Sequence, residues 1–272
     1  MLMDTERLVH ECGRILREAG IGNGLQEARW LMEQLLEKEG TEGHEDPEAA
    51  YRMLIERRLA GEPLQYIMGS VEFHCVDLVV GPGVLIPRPE TEQLVELALS
   101  LYPGNGAVCD LCTGSGAIAL ALARQLPDSG IVGIDISEDA LRYALLNKER
   151  LGLQNASFLM GDLFEPLPNG SIFSMMTANP PYVSQGEYDS LEPVVRDHEP
   201  RLALLAGSDG LAVLRRIASG AAAHLRPGAP LVSEIGESQG RAAQELFRAM
   251  GYRDVSIRKD YSGRDRFLVA WA

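Results

Sequence analysis

From Asp4 to about Ala60, apolar residues recur every three or four positions, the spacing of helices with one buried face. Asp4 caps a predicted helix to about Glu18, with Leu8, Cys12, Ile15, Leu16 and Ala19 on one side. Gly20 to Gly24 interrupts it. A second helix is expected over Leu25 to Glu39, carrying Ala28, Leu31, Met32, Leu35 and Leu36 on one face. Asp46-Pro47 is a cap followed by proline at the first helical position, so a third helix should run to about Ala60. Together these predict a small helical bundle with a charged outer face and no catalytic constellation. Such a bundle serves either stability and oligomerisation or substrate docking.

The pattern then changes. Residues 71 to 86 alternate and close on Gly81-Pro82-Gly83, which predicts a β-hairpin. In Leu85 to Glu92 two prolines flank Arg88, and Glu90 begins a helix to about Leu101. From Ala107 onward strands and helices alternate. Strands are expected at Val108–Leu111, Ile131–Asp135, Ser157–Met160, Ile172–Ala178 and Pro230–Ile235, and two closing strands at Tyr252–Lys259 and Phe267–Trp271. Helices are expected at Ala117–Gln125, Asp139–Leu151, Leu211–His224 and Arg241–Met250. This alternation predicts an α/β fold with a mainly parallel sheet covered on both faces. The expected domains are residues 1–70 (helical), 71–88 (hairpin linker) and 89–272 (α/β).

Composition narrows the class. The chain has 272 residues, 46% apolar and 24% charged, ordinary for a soluble protein. Its apolar runs are too short to span a bilayer, and no N-terminal segment resembles a signal peptide. The four cysteines give no disulfide framework, so a cytoplasmic location is expected. A net charge of −14 argues against broad nucleic-acid binding, which needs clustered Lys and Arg. The modest clusters at Arg57-Arg58 and Arg258 to Arg266 read as solvated surface.

The candidate chemistry lies at strand ends. Asn179-Pro180-Pro181-Tyr182 follows the predicted strand Ile172–Ala178, and ends of strands in open α/β sheets are where ligands bind. The prolines stiffen the backbone and leave carbonyls free to accept hydrogen bonds. Asn179 adds an acceptor and two donors, and Tyr182 a flat face. The tetrapeptide suits a planar group carrying an NH2; as plain structure it is a turn leaving a strand.

Asp110-Leu111-Cys112-Thr113-Gly114-Ser115-Gly116 joins the first strand to its helix, whose N-terminus offers unpaired N–H groups. Asp135 ends the next strand about 20 residues on, where a carboxylate can hold two ribose hydroxyls. Gly114 to Ala119 also matches the dinucleotide pattern G-x-G-x-x-A, a weak signal alone. Asp110 discriminates: an acid beside the loop repels a pyrophosphate and suits a sulfonium or an ammonium. Asp162, with Leu163 next to it, follows the third strand and is placed to meet an adenine amino group, or simply caps a turn. Cys109 and Cys112 form C-x-x-C with no further zinc ligands at matching spacing, so no metal is expected.

Taken together, the segment Asp110 to Gly116, Asp135 and Asn179-Pro180-Pro181-Tyr182 resemble class I S-adenosylmethionine-dependent methyltransferases acting on amide or amino nitrogen. Gly61 to Gly69, Glu72-Phe73, Leu85 to Glu92, His198 to Leu204, Glu234-Ile235-Gly236 and Asp260 to Arg266 are similar to the peptide chain release factor N5-glutamine methyltransferases. The resemblance spans nearly the whole chain. It implies a Rossmann-like, seven-stranded methyltransferase domain behind a helical substrate domain. It also implies methyl transfer from S-adenosylmethionine to the glutamine of a release factor Gly-Gly-Gln loop. Asn179 and Pro180 would be catalytic, and Asn179, Pro180, Pro181, Tyr182 and Arg88 would hold substrate. Asp110, Cys112, Thr113, Gly114, Ser115, Gly116, Asp135, Asp162, Leu163 and Asn179 would hold cofactor.

Three departures stand out. Cys112 replaces a usual glycine, so the loop there either avoids positive φ or accepts strain. His74-Cys75 replaces an aromatic-glycine pair, and Met175-Met176-Thr177 an Asp-led aliphatic strand. Competing readings are a ribosomal-protein glutamine methyltransferase, an adenine N6 methyltransferase, a nicotinamide oxidoreductase and a non-catalytic binding module. The acidic balance weighs against DNA, the clamp has no role in hydride transfer, and an intact loop and clamp argue for catalysis.

Overall fold

The helical spacing at the start of the chain produces helices where capping chemistry is available. A computed structural model describes residues 4–42 and 46–272; positions 1–3 and 43–45 of the expected front domain lie outside it. Asp4 accepts from the Arg7 N–H at 3.2 Å to open α1 (Thr5–Glu18), and α2 is Gly24–Glu42. Asp46 accepts from Ala49 N at 3.1 Å to open α3 (Pro47–Leu59). A short α4 (Leu64–Met68) follows. Leu8, Leu16, Leu31, Tyr51 and Ile55 form this unit's core. Inside it, the Tyr51 hydroxyl donates to the Ala28 carbonyl at 2.8 Å. The chain divides into two compact units, one up to Ser70 together with Glu192–His198, the other Val71–Leu191 with Glu199–Ala272.

The expected hairpin is present but short: β1 (Ser70–Phe73) and β2 (Val76–Val79). His74 turns it with φ of 52°, and residues 80 to 88 are not strand. Next come α5 (Pro89–Leu101), β3 (Val108–Leu111), α6 (Ala117–Gln125), β4 (Ile131–Asp135), α7 (Glu138–Leu151), β5 (Ala156–Met160) and β6 (Met175–Ala178). Two four-residue helices, α8 (Gln185–Tyr188) and α9 (Pro193–Arg196), precede α10 (Ala212–Gly220), β7 (Pro230–Glu234), α11 (Gly240–Ala249), β8 (Arg253–Lys259) and β9 (Asp265–Trp271). β6 begins three residues later than the apolar run suggests. Phe173 N instead donates to the His224 carbonyl, and Phe173 bridges Leu225. The expected Leu211–His224 helix is α10 followed by a 3-10 turn over Ala221–His224.

The seven strands run in the order β5-β4-β3-β6-β7-β9-β8, parallel except for β9, which is antiparallel to both neighbours. Period-2 alternation separates two cores. Cys109, Leu111, Met176, Leu231 and Leu268 pack with α10 and α11, while Val108, Met175, Val232 and Val269 pack with α5 and α6. The strand order reverses between β3 and β6, which opens a crevice at their carboxyl ends.

One buried amide ties the hairpin to that crevice. Asn147 of α7 accepts from Val79 N at 2.6 Å, and donates to the Val79 carbonyl at 3.1 Å and the Ser115 carbonyl at 3.0 Å. Asn147→Ala strands three polar groups, the buried Ser115 carbonyl and the part-buried N–H and carbonyl of Val79. It should cost on the order of 3 kcal/mol in urea unfolding, because each unsatisfied group carries its desolvation penalty. A loss below about 1 kcal/mol would show that water replaces the amide.

Candidate functional site

β3 and β6 pair in register with Leu111 opposite Ala178, so Cys112 and Asn179 leave the sheet side by side. The cavity there is lined by Cys112, Thr113, Gly114, Ser115, Asp135, Asp162, Leu163, Asn179 and Pro181, and also by Thr91 and Arg216.

The loop from β3 to α6 is held from both ends. Thr113 N donates to the Ile134 carbonyl at 3.0 Å, and Gly116 N to the Thr113 carbonyl at 2.9 Å. Gly116 has φ of 82°, which favours glycine, and a Cβ there would also crowd the side chains of Leu120 and Phe158 at 3.0 Å. Cys112 takes φ of 56°: of the two options for a side chain at this position, the loop accepts strain. Leu163, also in the cavity lining, has φ of 52°. Two left-handed residues carrying side chains thus line one cavity, and such backbone strain tends to gather at functional sites.

Asp135 anchors the loop. Its Oδ2 accepts from Gly114 N at 2.8 Å and its Oδ1 from Ser137 N at 2.9 Å. Each oxygen keeps acceptor capacity for a ligand. Burial raises its carboxyl above the usual range, opposed by those backbone N–H groups. Asp162 is in the lining too, where its Oδ2 pairs with Arg216 Nη2 at 2.9 Å.

Asp110 adjoins the loop, as read in the sequence, but from behind it. It shares a sheet face with Val108 and lies behind the loop, fully buried and outside the cavity lining. Its Oδ2 accepts from the Thr113 hydroxyl at 2.6 Å and its Oδ1 from the Thr177 hydroxyl at 2.7 Å. Burial pushes the carboxyl up to about 7 against these two donors. Its contact with a ligand can only be through its field. Arg88 also stands outside the cavity lining: it pairs with the buried Glu199, which accepts from Ile86 N at 3.1 Å as well. That pair fixes the segment leading into α5.

The clamp is carried by side chains to which the sequence assigned no role. Asn179 Nδ2 donates to the Thr91 hydroxyl at 3.2 Å, and that hydroxyl donates to Glu234 Oε2 at 2.7 Å. The Tyr182 hydroxyl donates to Glu234 Oε1 at 3.4 Å. Burial pushes Glu234 up to about 7 and raises the Tyr182 phenol. The Tyr182 carbonyl accepts from Gln239 Nε2 at 2.9 Å, and a Cβ on Gly210 would meet that carbonyl at 2.3 Å, so the chain there must be glycine. The available signal for Glu234 was an acid at the end of the apolar strand Pro230–Ile235; Thr91 is 88 residues from Asn179 and left none.

The pKa shifts set a sign for stability. Unfolded carboxyls release protons near pH 4, whereas Asp110 and Glu234 hold theirs to about 7 in the fold. Between those values the folded state binds more protons, so these groups contribute less stability as pH rises. Asp110→Asn and Glu234→Gln should each become more stable relative to the parent between pH 5 and 8. Urea unfolding across that range checks this; a difference independent of pH contradicts it.

Residues 7–69 match the family description "PrmC N-terminal domain", and residues 104–207 match "Methyltransferase domain". The release factor glutamine methyltransferase of Geobacter sulfurreducens is 42% identical over 261 residues, 93% of this chain and 91% of that protein. That of Moorella thermoacetica is 46% identical over 231 residues, 83% of this chain and 81% of that protein. Among solved structures, the hMettl16 catalytic domain in complex with MAT2A 3'UTR hairpin 6 aligns with a TM-score of 0.58 at 18% identity, over 72% of this chain and 75% of that one. The T. thermophilus 16S rRNA N2 G1207 methyltransferase, solved with AdoMet and guanosine, aligns with a TM-score of 0.55 at 22% identity, over 74% of this chain and 49% of that one. These two similarities establish the fold; the sequence relatives, similar along nearly the whole chain, establish that it belongs to the release factor glutamine methyltransferase family.

Proposed function

We propose that the protein transfers a methyl group from S-adenosylmethionine to the side-chain amide nitrogen of the glutamine in the Gly-Gly-Gln segment of peptide chain release factors. The reading rests on the Asn179 clamp leaving β6 beside the glycine-containing loop that leaves β3, in a chain of this family. The lining fits the cofactor: Asp135 presents two oxygens suited to ribose hydroxyls, and Asp110 and Asp135 give the crevice an acidic field suited to a sulfonium. Thr113, Gly114, Ser115, Asp162 and Leu163 would complete its walls, while Gly116 stands behind them and shapes the turn. When bound, S-adenosylmethionine supplies an electrophilic methyl carbon.

The acceptor is the harder half of the chemistry, because an amide nitrogen has its lone pair delocalised into the carbonyl. The Asn179 side-chain oxygen and the Pro180 carbonyl can accept the two hydrogens of the glutamine NH2. Those bonds orient the nitrogen and stabilise the positive charge it develops. Orientation of this kind is worth ~7–11 kcal/mol in favourable cases. Tyr182 would pack on the glutamine and exclude water. With a net charge of −14 the partner is read as protein rather than nucleic acid, and a cytoplasmic location suits a substrate that works with the ribosome. Among the described residues no helix is long and apolar enough to cross a membrane.

We assign the front helical unit, residues 1 to about 70, to docking the release factor. A short loop makes few contacts of its own, and remote binding energy must hold it in place. Trp30 and Met53 are exposed apolar side chains on that unit, 40% and 63% accessible. Replacing both by Asp should raise KM for the intact factor by on the order of tenfold while leaving a Gly-Gly-Gln peptide unaffected. Equal effects on factor and peptide would remove the docking role.

Asn179→Ala should lower kcat by about 10²–10³-fold and leave S-adenosylmethionine affinity within a few fold. Peptide mass spectrometry of a release factor after reaction tests the substrate: a methyl group on any residue other than the Gly-Gly-Gln glutamine refutes it.

A further inference from the structure

A side-chain amide has nearly the same shape when rotated by half a turn, with oxygen and NH2 exchanged. The clamp works only if Asn179 presents its oxygen to the incoming glutamine NH2. Something must therefore fix which end of the amide faces the crevice. Neither Thr91 nor Glu234 has a part in the reaction as described above, yet both are buried and linked in line with Asn179.

Counting protons along that line decides the orientation. Ionised Glu234 can only accept. The Thr91 hydroxyl has a single hydrogen, and it goes to Glu234 Oε2 at 2.7 Å. What Thr91 turns toward Asn179, at 3.2 Å, is then lone pairs. Only the Asn179 NH2 can bond there; the flipped amide would set oxygen against oxygen. The amide oxygen is thereby directed away from Thr91. The Tyr182 hydroxyl, whose one hydrogen also goes to Glu234, refers the other side chain of the clamp to the same carboxylate. Thr91, third residue of α5, and Glu234, last residue of β7, are held by different elements.

We infer that Thr91 and Glu234 are positioning residues that set the hydrogen-bond polarity of the clamp, with ionised Glu234 directing the Asn179 oxygen to the acceptor amide through the Thr91 hydroxyl. This rests on Asn179 being the group that holds the acceptor. It adds that the holding depends on the charge state of a carboxylate that never touches substrate. A protonated Glu234 can donate to Thr91, which frees the Thr91 hydrogen to point at Asn179 and allows the inactive amide orientation. Around Glu234 stand Thr91 and Glu90 from α5, Arg266 from β9 and the Tyr182 hydroxyl. Arg266 favours the charged form; Glu90 and burial oppose it, and the carboxyl is pushed up to about 7. Activity should then be lost as pH falls through that value.

The test uses the full chain with an intact release factor, reading kcat, KM, cofactor affinity and the pH profile. Thr91→Val keeps shape and removes the hydroxyl; it should lower kcat on the order of 10²-fold, as a misplaced reacting group does, with cofactor affinity unchanged. Thr91→Ser restores the hydroxyl and should stay within a few fold of the parent. Glu234→Gln can donate as well as accept, so it should lower kcat and abolish the acidic limb of its pH profile. Equal losses in Thr91→Val and Thr91→Ser would mean that packing alone is at stake and would overturn the inference. So would parental kcat in Thr91→Val, or an acidic limb that survives in Glu234→Gln and so belongs to another group such as Asp110. Asn179→Ala separates the two levels. If it retains turnover, the clamp reading itself is wrong; if it is inactive while Thr91→Val is not, only the polarity device is.

Discussion

A buried carboxylate holds the site together. Asp110 is without solvent contact, yet its oxygens are taken by hydroxyls from two different segments, Thr113 in the loop after β3 and Thr177 in β6. A buried acid left unpaired would be strongly unfavourable, so loss of either hydroxyl would leave part of that cost uncompensated. The same requirement fixes the loop against the neighbouring strand, just where the strand order reverses. The switch point of a parallel sheet provides a crevice; Asp110 gives that crevice a defined floor.

Glu234 repeats the arrangement two strands further along, on β7. It lies on the same side of the sheet as Asp110, the side covered by α5 and α6, and it too is buried against hydroxyls, those of Thr91 and Tyr182. One acid organises the loop and the other organises the clamp. In both, a short hydroxyl side chain carries the effect of a buried charge to the cavity wall, so that neither acid itself has to face the ligand. Networks of this kind favour one arrangement because a half-satisfied version is worse than none.

How much of this could be read in the sequence follows from the range of each interaction. β3, α6 and β4 coincide with the expected residues because their boundaries are set by local signals: apolar runs closed by Gly114-Ser115-Gly116 and by Asp135-Ile136-Ser137. The start of β6 was misjudged because Ile172 and Phe173 are as apolar as a strand, but Phe173 pairs with Leu225, a partner 52 positions away that the local pattern cannot reveal. α4, α8 and α9 are too short to show a helical period. Asp110 adjoins the loop in sequence and in space, but the alternation of Val108, Cys109, Asp110 and Leu111 turns it behind the loop, away from the cavity lining. Asn179 and Asp135 line the cavity because both follow directly from strand ends. Thr91 was invisible, since its place depends on how α5 lies across β7.

Cys112 and Leu163 have a consequence for how the crevice receives its ligand. A glycine at either position would reach the same left-handed geometry without strain, but would also sample many others in the empty protein. A residue with a Cβ has fewer alternatives, and next to Cys112 the bonds of Thr113 N to Ile134 and Gly114 N to Asp135 fix the loop. The strain is therefore spent before the cofactor arrives. What is saved is the ordering entropy that a looser loop would lose on binding. These two lining positions thus contribute to affinity through disorder already removed during folding.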